Sequence, residues 1–166
     1  MKDDSTVKAT DQVWIEAQNC ELSTWQREGQ DGNDWNNWWA SKFDNYTFFN
    51  DIDAETILEV GCGPYAKNLE IVNSSLKKPA KNFILNDPLL DNYISLGKSV
   101  KRYENKSKFL SKPFEVCDEK EIDLNSVDIA ICNNVLDHVY DVEALLNNIF
   151  KCLKRGGYLI LGQDLK

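Results

Sequence analysis

Several residue types and patterns are scarce in this chain of 166 residues, and each scarcity narrows what the chain can be. The cysteines number five (Cys20, Cys62, Cys117, Cys132, Cys152), an odd count with no Cys-x-x-Cys pair. That excludes a disulfide framework and a zinc ribbon, and with no stretch resembling a signal peptide it fits reduced thiols in a cytoplasm. Histidine occurs once, at position 138, and no metal-ligand constellation is visible. No apolar run approaches the ~20 residues that a membrane span requires. Bases are scarce at the start: residues 1–56 carry 12 acids against 4 bases, whereas the remainder is balanced, so the net charge of -8 resides in the amino-terminal third. An acidic surface repels phosphodiester backbones, which argues against a nucleic-acid partner. The local exception runs from Lys98 to Lys112, where Lys98, Lys101, Arg102, Lys106, Lys108 and Lys112 surround Glu104. It reads as a solvated face, with a docking patch for an acidic group as the other reading.

What is present falls into three regions. Residues 1–12 read as a flexible polar tail. Residues 13–50 hold all five tryptophans, and we read Val13 to Arg27 and Asp34 to Asn45 as two helices of a cap packed on the core. Trp35, Trp38, Trp39 and Phe43 recur at helical spacing and form an aromatic stripe on one face, either core or a lid over a ligand. From residue 51 the pattern alternates short apolar strands with helices, at Ile57–Val60, Lys81–Asn86, Phe114–Cys117, Val127–Cys132 and Tyr158–Leu161. Val142, Leu145, Leu146, Ile149 and Leu153 mark a helix before the last strand, with Asp141 as N-cap and Gly156 as C-cap. This order predicts a Rossmann-like, mostly parallel α/β sheet with helices on both faces. Ligands of such sheets lie outside the carboxyl ends of the strands.

Four of those ends carry polar or glycine-bearing segments. The first strand runs into Glu59-Val60-Gly61-Cys62-Gly63, where glycines let the backbone turn tightly and approach a ligand closely. The carboxylate of Glu59 would repel a pyrophosphate yet accept hydrogen bonds from a cationic or hydroxyl-bearing ligand. Asn86-Asp87-Pro88 ends the second strand with an acid suited to two ribose hydroxyls. Cys117-Asp118-Glu119 follows the expected third strand, and Asn133 to His138 follows the fourth.

From about residue 55 onward these segments resemble the class I S-adenosylmethionine-dependent methyltransferases. Glu59 to Gly63 is similar to their first motif, Asp87 to their ribose-binding acid, Ser126 to Val139 to their fourth-strand signature, and Lys154 to Leu159 to the entry of strand five. The resemblance implies S-adenosylmethionine as cofactor, S-adenosylhomocysteine as product, and residues 51–166 as the binding domain. It implies that Gly61, Cys62 and Gly63 meet the amino-acid end of the cofactor and that Asp87 and Pro88 hold the ribose. By the same resemblance Cys117 or Asp118 meets adenine and Asn133 lies beside the methionine moiety. The family's usual third glycine is Tyr65 here, and the family's sheet continues past strand five, so the expected sheet is truncated, with its edge open to a second copy of the chain.

Methyl transfer from a sulfonium needs alignment and removal of a proton, so His138 and Asp137 are the candidate base and its partner, or else residues of a helix start. The acceptor expected is a small molecule, such as a sugar or natural product, under the tryptophan-rich cap. Two other readings stand beside this one. One is a non-catalytic cofactor-binding or scaffold protein; the other is a dinucleotide-dependent oxidoreductase, because Gly61, Gly63 and Ala66 also satisfy a loose dinucleotide fingerprint.

Overall fold

A computed structural model describes residues 11–27, 41–43 and 47–164. Residues 1–10 of the expected tail and the stripe of Trp35, Trp38 and Trp39 lie outside the described residues. The first helix, α1, spans Asp11–Arg27, so residues 11 and 12 belong to it rather than to a tail. A 3-10 turn at Thr47–Asp51 leads to strand β1, Thr56–Val60. Helix α2 (Lys67–Ser75), strand β2 (Asn82–Asn86) and the short helix α3 (Leu90–Ser95) follow. Then come strand β3 (Ser107–Leu110), strand β4 (Val127–Asn133), helix α4 (Val142–Cys152) and strand β5 (Leu153–Gly162).

All strand pairs are parallel and the sheet order is β3-β2-β1-β4-β5. Alternate residues of the central strands enter two separate cores. Ile57, Leu85, Ile129 and Ile131 pack with Leu69 and Val72 of α2 and Leu90 of α3. Leu58, Ile84, Ala130 and Cys132 pack with Leu145 and Ile149 of α4. Both faces are therefore covered, as the near-continuous apolar runs of β1 and β4 require. Burying each large aliphatic side chain contributes about 1.5–3 kcal/mol, and ten or more are involved, so these two layers hold the sheet.

Three expectations are corrected. The third strand is Ser107–Leu110; Phe114–Val116, read as that strand, is a 3-10 turn. Phe114 is buried under α4 while Val116 is exposed, and Pro113 at the entry has no amide hydrogen to donate to a ladder. Gly156 does not cap a helix: α4 ends at Cys152 with Leu153 in extended conformation, and β5 starts at once. Val127 pairs with Leu153 and Ile129 with Tyr158, so residues 154–157 bulge from β5, with Gly156 at φ +82°. Asp141 caps α4 as expected, its carboxylate accepting from the Ala144 amide at 3.0 Å. Strand β5 forms one sheet edge, with Tyr158 and Leu161 exposed on it. The basic stretch is not uniformly solvated either, since Lys98 is buried and Arg102 pairs with Glu70 at 2.7 Å. No helix among the described residues is long and apolar enough to cross a membrane.

Candidate functional site

The strand order reverses between β1 and β4, and a cavity of about 410 Å³ opens there, at the carboxyl ends of β1, β2 and β4. Its floor is the glycine turn. Gly61 has φ +64°, and a β-carbon on it would sit 2.4 Å from Cγ2 of Val135, so the missing side chain lets the turn press against the segment after β4. Gly63 has φ +56°, and a β-carbon there would meet nothing within 4 Å, because it faces open space. The turn is pinned by Cys62 N–H donating to the Asn86 carbonyl at 2.9 Å and Gly63 N–H donating to the Asp87 carboxylate at 3.0 Å.

Asp87 receives a second amide on its other oxygen, from Leu89 at 2.9 Å. Each oxygen keeps a further lone pair, and Asp87 lines the cavity beside Pro88. Burial pushes its carboxyl up to about 6, although the two amides pull the other way. Asn86 ties this corner to the loop after β3 through its side-chain amide, which donates to the carbonyls of Leu110 and Lys112.

Glu59 lies beneath the cavity rather than on its wall. Helix α2 begins at Ala66, which has a left-handed backbone and no capping side chain. Glu59 takes over that role: its Oε2 accepts from the Leu69 amide at 3.0 Å and its Oε1 from the Asn68 side chain at 3.1 Å. The helix N-terminus welcomes a carboxylate, but burial is the larger effect and raises the carboxyl to about 7. Asn68 in turn accepts from the Asn133 side chain at 3.3 Å, so β1, α2 and β4 share one polar chain that reaches the cavity at Asn133.

Of the residues expected at a site, Gly61, Cys62, Gly63, Asp87, Pro88, Asn133 and His138 come together around this cavity. His138 sits at its exposed rim with Nε2 3.6 Å from Oδ1 of Asp137, an oxygen that also accepts from Gln163 at 3.0 Å, and Asp137 itself does not line the cavity. Cys62 is buried, and burial holds its thiol far up, so no thiolate is available for nucleophilic work. Cys117 and Asp118 are not at this cavity. They line a second hollow of about 420 Å³ against α4, and the Asp118 carboxylate is occupied by the Lys120 amide. The reason is the shift of strand three: the chain reaches the first cavity at Pro113, Phe114 and Glu115 instead. Among the described residues no group of three His, Cys, Asp or Glu side chains could hold a metal ion.

One wall comes from α1, in the region read as a tryptophan-rich cap. Trp14, Gln18, Glu21 and Trp25 of α1 lie over the cavity, and Trp25 meets Tyr65 edge-on with centroids 5.5 Å apart. Their spacing of four, three and four residues puts them on one helix face.

This chain belongs to the class I S-adenosylmethionine-dependent methyltransferases: a family model described as a methyltransferase domain matches residues 58–161. S-adenosylmethionine is the family's cofactor. A search of curated proteins gave no match. Among solved structures the fold is similar to the N-methyltransferase NodS from Bradyrhizobium japonicum in complex with S-adenosylhomocysteine. The TM-score is 0.64 at 15% identity, over 86% of this chain and 70% of that one. A Haemonchus contortus phosphoethanolamine N-methyltransferase, with phosphoethanolamine and S-adenosylhomocysteine, gives a TM-score of 0.63 at 14% identity over 92% of this chain and 33% of that one. The methyltransferase CalH, in complex with S-adenosylhomocysteine, gives 0.61 at 17% identity over 91% and 44%. The chain thus spans a third of the second of these proteins and under half of the third.

Proposed function

We propose that this chain transfers a methyl group from S-adenosylmethionine to a small-molecule acceptor in the cavity between the glycine turn and α1. The observation that carries the reading is the meeting of Gly61, Gly63, Asp87 and Asn133 around one space of cofactor size. A cradle open at Gly63, an acid with free lone pairs at the end of β2 and, among the described residues, no phosphate-neutralising cluster in the lining suit a nucleoside with a cationic sulfur. Gly61, Cys62 and Gly63 would receive the amino-acid end, Asp87 and Pro88 the ribose, Phe114 and Glu115 the base, and Asn133 the methionine moiety. When bound, the cofactor supplies a methyl group already activated on a sulfonium.

The protein's part is then alignment and exclusion of water, with a proton accepted at the rim by His138. Residues 13–50 act as a cap on the domain formed by 51–166. The cysteines, all unpaired, suit a reducing cytoplasm. Isothermal titration with S-adenosylhomocysteine and with NAD tests the first step. Tight binding of the homocysteine compound is expected, and NAD binding in its place would refute the reading. A labelled-methyl screen of small-molecule acceptors tests the second. Cofactor binding with no transfer to any acceptor would favour a binding or scaffold role instead.

A further inference from the structure

We infer that the acceptor is an amine, entering as a cation and held under α1 by Trp14, Glu21, Trp25 and Tyr93. The inference rests on the methyl-transfer reading and names the chemistry of its second substrate. Helix α1 buries no residue fully, and its face bearing Trp14, Gln18, Glu21 and Trp25 is a wall of the cavity, with Trp25 also touching the edge of the core. Opposite it stands Tyr93 of α3, only 1% exposed yet lining the same cavity. Its hydroxyl has no hydrogen-bond partner among the described residues, although it lies close enough to Asp87 and Glu21 to feel their charge. The hydroxyl is not sealed from water, so it opens on the cavity and is available to a ligand there.

Charge selects the ligand's sign. Three carboxylates line the cavity: Glu21, Asp87 and Glu115. Asp87 accepts two backbone amides and stands where the ribose is assigned, and Glu115 accepts the Tyr140 amide on one oxygen, at 2.7 Å, on the wall assigned to the base. Glu21 accepts only the Trp25 indole N–H, on one oxygen, and its other oxygen is free among the described residues. Among the described residues Lys67 is the single lysine of the lining and pairs with Glu70 at 3.3 Å, and no lysine or arginine of them pairs with Glu21. An anionic acceptor would be repelled, and a hydroxyl would leave the carboxylate uncompensated. An ammonium satisfies Glu21, donates to the Tyr93 hydroxyl, and can lie against the faces of Trp14 and Trp25. In the reaction the ammonium, held by Glu21, gives one proton to His138 at the open rim, which passes it to solvent. The nitrogen lone pair then forms the N–C bond as the C–S bond breaks with its electron pair staying on sulfur, so the positive charge moves from sulfonium to the methylated amine.

The test compares benzylamine with benzyl alcohol, each titrated into the full chain with and without S-adenosylhomocysteine. The amine is expected to bind at least about tenfold more tightly, and Glu21→Gln to abolish that preference. Glutamine keeps an oxygen for the Trp25 indole, and the variant's affinity for S-adenosylhomocysteine reports whether it is folded. An amine no tighter than the alcohol, or a preference that survives E21Q, overturns the inference. Failure of S-adenosylhomocysteine to bind wild type would instead strike the cofactor reading, and the titrations without it would still decide the amine question.

Discussion

The two walls of the cavity are built to different standards. On the sheet side polar atoms are spoken for: both oxygens of Glu59 and of Asp87 accept from protein donors, and Asn68 joins Glu59 to Asn133. On the α1 side Glu21 has, among the described residues, one oxygen engaged and one open. The first wall is fixed by backbone and by the strands themselves, whereas the second is a row of side chains on a helix with no fully buried residue. Changes to the sheet wall should therefore be felt as loss of fold and of cofactor, and changes to the helix wall as altered choice of acceptor.

The largest effect is expected at Gly61. Alanine there would suffer both the left-handed backbone, about 1–2 kcal/mol, and the collision with Val135, about 1–3 kcal/mol. Gly63→Ala shares only the backbone cost, since nothing lies within 4 Å of the added carbon. Urea unfolding of the two variants should differ by at least about 1 kcal/mol, and Val135→Ala should recover part of the loss in Gly61→Ala only. Equal destabilisation would show that the turn is not pressed against β4.

The next effect is a pH dependence rooted in Glu59. Its carboxyl is raised from 4.5 to about 7, burial being the main cause, with Asp87 nearby and itself raised to about 6. A raised acid holds its proton more tightly when folded than unfolded. Its stability contribution is greatest below the unfolded value and is lost as pH rises from about 4.5 to about 7. From pH 5 to pH 8 the wild type should lose roughly 1–3 kcal/mol more than Glu59→Gln. Parallel pH curves for the two proteins would mean that the Asn68 and Leu69 donors already hold the carboxylate ionised.

The same contrast explains what could be read in advance. Strands β1, β2 and β4 are buried runs of Ile, Leu and Val ending in Gly61, Asp87 and Asn133, so both the fold and the sheet wall were legible in outline. Strand β3 was not, because it is an edge strand of four residues with exposed Lys108, pairing only with β2. Phe114 imitated it by being apolar beside Glu115, and that error carried Cys117 and Asp118 to the wrong hollow. The cap of α2 was invisible for another reason: the capping carboxylate, Glu59, comes from a neighbouring strand rather than from Ala66. The helix wall was legible only as an expected cap, because amphipathic spacing in α1 shows which residues share a face but not which of them reach a cavity.

The smallest expected effect on stability is also the sharpest discriminator. Trp25 is half-buried, touches the core at its rim, and meets Tyr65 edge-on at 82° between ring planes. Trp25→Ala removes that contact and the indole donor to Glu21, for a cost of about 1 kcal/mol, or about 2–4 °C in Tm. Affinity for S-adenosylhomocysteine should change by less than about threefold, while affinity for benzylamine should fall by at least about fivefold. The argument is geometric: Trp25 reaches the cavity from α1, and none of the polar chain from Glu59 to Asn133 passes through it. A large loss of cofactor affinity in this variant would mean that the two walls act as one, with α1 closing on the nucleoside itself.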